Sequence, residues 1–171
     1  MLDAEFVADC PYGPGGLLID ELLEVDKEKS RVVVRMPVSD ELPLTREQRA
    51  DPRFHPRHVS GGLMVHMTGM VGFVHAYYVL GLRHSEGWIG YGGKIYSAKF
   101  LALADMRTPL ILEGWGTRMR RGEKQIFVRY GFRFTQTRPD DDADQPGEKV
   151  VVYESEQAAM WTLIPGREAT T

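Results

Sequence analysis

From Ile126 to Phe134 apolar side chains fall at every second position, with Ile126, Val128, Tyr130, Phe132 and Phe134 alternating against Phe127, Arg129, Gly131 and Arg133. A helix cannot hold that set on one side, whereas a strand with its two-residue repeat does so directly. The repeat returns in Val151, Tyr153, Ser155, Gln157, Ala159, Trp161 and Leu163, and earlier in Val32, Val34, Met36 and Val38, set against Arg31, Val33 and Arg35. Leu110 to Trp115 is also apolar and strand-like, and Arg118 to Lys124, containing Arg120-Arg121-Gly122, reads as the tight turn that follows. Several long strands sharing an apolar face need a second layer to cover it. With 171 residues there is room for one such domain, residues 1–171, and a sizeable core.

The covering layer is predicted over about Gly61 to Leu80, the one convincing long helix, with Ser60 placed as its N-cap. Leu63, Met67, Met70 and Val74 recur at helical spacing as a buried stripe, beside a second stripe of His66, Gly69 and Phe73. Gly69 and Gly72 each give up ~1 kcal/mol of helix propensity relative to Ala. A sheet or a second subunit pressed against that face is the simplest reason, and a ligand the less frequent one. Pro11 to Gly16 reads as a turn, and Leu17 to Val25 suits either helix or strand. About 39–57 is an irregular surface loop that delivers His55 and His58. A glycine-rich turn is expected near Tyr91-Gly92-Gly93, and a solvated hairpin loop over about 138–148. No internal repeat is present.

Composition removes several function classes. Lys and Arg total 21 against 24 Asp and Glu, a net charge of -3, so no global field favours nucleic acid. The single cysteine, Cys10, forms no internal disulfide, and the N-terminus lacks a signal-peptide pattern, which together point to a cytoplasmic protein. No membrane association is expected, since the best apolar run, Leu63 to Leu82, is interrupted by histidines and glycines. His55, His58 and His66 offer three nitrogen ligands, yet their spacing matches no metal motif and the segment supplies no carboxylates to support them, so no metal is expected.

Four stretches together carry a family likeness: Pro11-Tyr12 through Leu17-Leu18-Ile19-Asp20-Glu21-Leu22-Leu23-Glu24-Val25-Asp26; Phe54-His55-Pro56-Arg57-His58-Val59-Ser60-Gly61-Gly62-Leu63-Met64; Ser97-Ala98-Lys99-Phe100; and Arg118 to Phe134. In their order they resemble the hot-dog superfamily of acyl-thioester enzymes, particularly the β-hydroxyacyl-ACP dehydratases and the acyl-CoA thioesterases. The short histidine loop running into the helix is similar to the long-chain acyl-CoA thioesterases of the FcoT type. The resemblance implies an α+β hot-dog fold, a twisted antiparallel sheet wrapped around one long central helix, and a homodimer or higher homo-oligomer. It implies an acyl-CoA or acyl carrier protein substrate, with coenzyme A or phosphopantetheine part of the substrate and no separate cofactor.

One departure bears on activity. The resemblance places the dehydratase acid near His66 or Met67 and the thioesterase acid at Thr68 or Gly69, yet Gly61 to Leu82 contains neither Asp nor Glu, and the whole chain contains no Asn. Hydrolysis is therefore favoured over dehydration or hydration, which needs the paired acid, and binding without turnover is a third reading. His58 is the candidate base, because imidazole ordinarily titrates at ~6.5, and His66 the second acid-base group. His55 and Ser60 flank them. Gly61 and Gly62 offer helix N-terminal amides to a thioester carbonyl, Met67 and Thr68 face the substrate, and Arg120 and Arg121 meet coenzyme A phosphates or an acidic carrier. Each feature also has an ordinary structural explanation: a backbone-bonded histidine, a sharp turn, core packing, or solvated turn charge.

Overall fold

A computed structural model of the chain describes residues 1–138 and 147–164; residues 139–146 of the expected hairpin loop lie outside them. Two short N-terminal helices, α1 (Ala4–Asp9) and α2 (Pro14–Leu17), precede strands β1 (Glu21–Asp26) and β2 (Arg31–Met36). The ambiguous stretch Leu17 to Val25 therefore ends as a strand. β2 stops two residues short of Val38 because Pro37 has no N–H for the ladder. Residues 39–57 form neither helix nor strand, apart from one isolated bridge between Asp51 and His55.

Helix α3 (Gly61–His75) continues as a π-helical turn over Ala76–Leu80, and strands β3 (Trp88–Phe100), β4 (Leu110–Arg121), β5 (Gln125–Arg138) and β6 (Glu148–Leu163) follow. The six strands form one sheet in the order β1-β2-β4-β5-β6-β3, with every neighbouring pair antiparallel. This is the expected α+β arrangement of an antiparallel sheet around one long central helix.

Three sequence expectations are corrected. Tyr91-Gly92-Gly93 does not turn but runs within β3, with a register shift between Gly92 and Lys94 where Gly93 is the extra residue of a bulge. The reversal comes earlier, where Gly81 and Gly87 take positive φ of 71° and 91°. Arg118, Arg120 and Arg121 are not turn residues, because β4 pairs with β5 as far as Arg121–Ile126 and leaves Gly122 to Lys124 to reverse the chain. Ser60 is at the N-cap but caps through its carbonyl, which accepts from Leu63 and Met64 N–H at 3.0 and 3.1 Å, while its hydroxyl makes no capping bond.

The core lies between α3 and the inward face of the sheet. Leu63, Met67, Met70 and Val74 are buried as the periodicity predicts, against Val32, Val34, Met36, Leu110, Leu112 and the inward residues of β5 from Ile126 to Phe134. At Gly114 the helix touches the sheet backbone: a Cβ there would lie 2.6 Å from Val71 Cγ1. Any side chain at 114 pushes helix and sheet apart, an overpacking that costs ~1–3 kcal/mol. The segment Gly61–Leu80, with 20 residues and mean hydropathy 1.3, is long and apolar enough to cross a membrane by length and composition, contrary to the expectation that no segment would be. Here it is mostly enclosed, because the core helix of a curled sheet must itself be apolar.

A polar tie secures the helix's C-terminal end. His75 is fully buried, with Nε2 3.0 Å from Ser30 O and Nδ1 3.1 Å from the Tyr130 hydroxyl. A carbonyl only accepts, so Nε2 carries the proton and Nδ1 accepts from Tyr130. Burial pushes the Tyr130 hydroxyl above the usual tyrosine range, with Trp161 acting against it. Burial also lowers His75 from 6.5 to about 4, opposed by its bond to the Ser30 backbone. The unfolded chain thus takes up this proton at higher pH than the folded one. Stability is fully present above 6.5 and falls by about 3 kcal/mol as pH drops toward 4. Urea unfolding of the wild type and His75→Gln at pH 7, 5.5 and 4 checks this. The wild type should lose more stability over the interval, and parallel curves would refute it.

Candidate functional site

The sheet covers one side of α3 and leaves the side bearing Val65, His66, Gly69 and Phe73 partly open. That flank, Tyr12 from the N-terminal segment, residues Gly90 to Ile95 of β3, and Gln157 and Ala158 of β6 enclose a groove of about 550 Å³. Its inner end passes into a narrower cavity of about 70 Å³ that adds Gly72, Tyr130, Phe132, Ala159 and Trp161 to the lining. No described element of this chain is the expected close neighbour of Gly69 and Gly72. A Cβ at either position would meet nothing within 4 Å, so these glycines border open volume rather than the backbone of another element.

His66 stands at the groove wall with Nε2 2.7 Å from Gly16 O and the Tyr12 ring edge-on to it at 5.5 Å. The carbonyl again requires the proton on Nε2, which leaves Nδ1 with a free lone pair. Two residues on, the Thr68 hydroxyl is buried, 2.7 Å from Val65 O and 3.1 Å from Gln157 Oε1. Gln157 Nε2 donates to Ser155 Oγ at 3.1 Å, so its second amide N–H is not used by that bond. Thr68 and Gln157 border both the groove and the inner cavity, which places them at the junction. Among the described residues Lys94 is the one charged residue lining the groove, and none of them places a carboxylate there.

The remaining predicted site residues lie elsewhere in the chain. His58, in the loop before α3, donates Nδ1–H to Pro56 O at 2.8 Å, and its ring is edge-on to that of His55 at 5.1 Å. Neither histidine lines the groove with His66. Gly61 lies under the Phe100 ring, whose Cε1 would be 2.8 Å from an added Cβ, and Gly62 is next to Leu44. Met67 does not face the groove: it is 1% exposed and packed in the core, because the helix turns it toward the sheet. Arg120 and Arg121 are exposed near the end of β4. Along the register Arg120 is opposite Phe127, then Met160, then Tyr91, three strand spacings or roughly 14 Å from β3. Among the described residues no group of three His, Cys, Asp or Glu side chains converges to hold a metal.

Gln157, Tyr12, Tyr91 and Trp161 join the groove or its cavity without having been singled out from the sequence. A signal for Gln157 was present: it interrupts the apolar alternation of β6 on the face that turns inward.

No family model matches the chain, and no curated protein does. Solved structures do match over most of its length. A putative thioesterase YhdA from Lactococcus lactis superposes with a TM-score of 0.55 at 13% identity, covering 86% of this chain and 94% of that one. A hypothetical thioesterase of Streptococcus pneumoniae TIGR4, crystallised with coenzyme A, gives 0.54 at 12%, covering 84% and 85%. The E. coli PaaI protein from the phenylacetic acid degradation operon gives 0.54 at 13%, covering 85% of each. At such identities the likeness establishes the fold: this chain has the hot-dog fold.

Proposed function

We propose that the protein hydrolyses acyl thioesters of coenzyme A or acyl carrier protein in the groove between α3 and the β3–β6 edge. The observation that carries this is the joining of the groove that holds an acid-base group, His66, to a mostly apolar cavity through Thr68 and Gln157. The acyl group occupies the cavity, and the pantetheine arm lies along the outer groove. His66 Nδ1 takes a proton from water, the oxygen adds to the thioester carbonyl, the C–S bond breaks, and the sulfur leaves as thiol with that proton. The second Gln157 N–H is the donor for the developing oxyanion, and the Thr68 hydroxyl, whose one proton goes to Val65 O and Gln157 Oε1, orients that amide. An amide donor and an imidazole take the place of the helix carboxylate that the sequence lacks.

Purified protein incubated with saturated and 3-hydroxyacyl-CoAs separates the readings. Thiol release supports hydrolysis, enoyl absorbance without thiol supports dehydration, and binding with neither supports an acyl-thioester carrier. His66→Gln, which keeps a donor for Gly16 O, should lower kcat by ~10²-fold or more. His58→Ala should remain within a few-fold, and the reverse ranking would return the base to His58.

We further propose a homodimer paired along β3. This edge strand has 13 residues and leaves Tyr91, Ile95, Tyr96 and Phe100 exposed. Such an edge invites another strand, and a second copy laid there would wall the open side of the groove. Sedimentation should give a dimer, and Ile95→Lys should shift it toward monomer with loss of thiol release. A wild-type monomer at micromolar concentration would refute the pairing.

A further inference from the structure

We infer that the N-terminal strap of residues 12–16 positions His66, the Gly16 carbonyl fixing its proton on Nε2 and the Tyr12 ring fixing its plane. The inference rests on the hydrolase reading for what the Nδ1 lone pair then does. It starts from an orphan carbonyl. α2 is a single turn, in which Gly16 and Leu17 N–H donate to Gly13 O at 2.9 Å and Leu18 N–H donates to Pro14 O at 3.2 Å. A longer helix would bring the N–H of residue 20 to Gly16 O. Instead Leu18 takes a left-handed φ of 54° and ends the helix, and Asp20 N–H goes to Arg35 O of β2 at 3.1 Å. The last carbonyls of a helix find partners outside it. Gly16 O takes the Nε2–H of His66, at 2.7 Å.

That bond is not needed to fasten the strap, which is held at both ends without it. Upstream, Phe6 is buried against Tyr77 and Tyr78, with ring centroids at 5.1 and 5.4 Å, and the Asp9 carboxylate accepts the His84 and Ser85 N–H groups, both at 2.8 Å. Downstream, Leu17 and Ile19 are part of the core. The residue that gains from the bond is therefore His66. His75 gives the contrast, since it is fully buried with both ring nitrogens bonded. His66 is half-buried on the groove wall and, among the described residues, bonds through Nε2 alone. Tyr12 adds the second constraint. Its ring is edge-on to His66 at 5.5 Å and tilted against Phe73 at 5.9 Å. It reaches them by lying against bare backbone, since a Cβ at position 16 would be 3.0 Å from Tyr12 Cδ1. One hydrogen bond leaves an imidazole free to pivot about it, and a ring packed alongside removes that freedom. A histidine that exchanges protons is set by the partner of its other nitrogen, and here that partner is a backbone carbonyl instead of a carboxylate.

The test uses the full chain, isotope-labelled at histidine, and follows the His66 Nε2–H proton by NMR alongside thiol release from acyl-CoA. In the wild type the carbonyl should protect that proton from exchange with water and make it visible at neutral pH. Gly16→Val, which drives a branched carbon into the Tyr12 ring, should lose the signal and lower kcat ~10-fold or more, with KM within about two-fold and Tm nearly unchanged. Tyr12→Ala should also lose the signal and lower kcat, and Tyr12→Phe, which keeps the ring, should restore both. The Tyr12 pair decides the matter if Gly16→Val does not fold. A bond that is only structural would lower Tm and leave the kcat of the folded protein in place. That result, a signal kept in both Gly16→Val and Tyr12→Ala, or a signal lost with kcat intact overturns the inference. If no ester releases thiol while the signal follows the variants as stated, the hold of the strap on His66 stands and the hydrolase reading falls.

Discussion

The structure depends on the seating of one helix at close range against the sheet. Val71 rests on the bare backbone of Gly114, and one turn later His75 bridges Ser30 and Tyr130. Both contacts lie on the same side of α3 and hold it at two points, one by shape and one by a hydrogen-bond geometry that tolerates little rotation. Because that side is committed to the sheet, the stripe of Val65, His66, Gly69 and Phe73 is turned toward β3 and stays partly open. The groove is what remains when a sheet covers a helix on one flank only.

Strand register then determines what chemistry the groove can contain. The charged residues of the long strands fall on outward positions, where Arg31 pairs with Glu24 and Glu113, Arg35 with Asp20 and Glu21, Arg129 with Glu156, and Arg133 with Glu154. Such exposed pairs contribute little stability individually, but they mark the outer face, and a one-residue slip would carry every one of them into the core. The inward residues near α3 are aromatic, small or neutral polar. The groove of one chain is thus left with the His66 imidazole and the Gln157 amide beside the helix, and Lys94 on the facing strand.

Much of the architecture was legible beforehand, since periodicity survives folding wherever one face is buried. The alternation of Ile126 to Phe134 and the stripe of Leu63, Met67, Met70 and Val74 both mark sides that reach the core. Local chemistry misled where pairing overrode it. Tyr91-Gly92-Gly93 has turn composition, but eleven residue pairings with β6 hold the surrounding segment extended and a bulge absorbs the irregularity. Arg118 to Arg121 likewise has turn character and is drawn into the ladder by β5. Of the candidate site residues, His66 and Thr68, singled out on the helix, border the groove, whereas His58, taken from the histidine-loop likeness, and Gly61, taken for its helix N-terminal amide, do not. The structure leaves His58 in the loop before α3 and Gly61 against the Phe100 ring, both outside the groove.

The sequence by itself determined the elements and their buried sides, because hydrophobic burial at a two-residue or 3.6-residue repeat leaves a record in the order of the side chains. Only the tertiary structure decided what the glycines of α3 were for. Whether the space beyond a missing Cβ holds a neighbour or nothing depends on elements distant along the chain, here Gly90 to Gly92 and Gln157 to Trp161. No local pattern encodes the difference between close contact and a cavity. That difference is a matter of a few ångströms between surfaces set by the packing of the whole sheet.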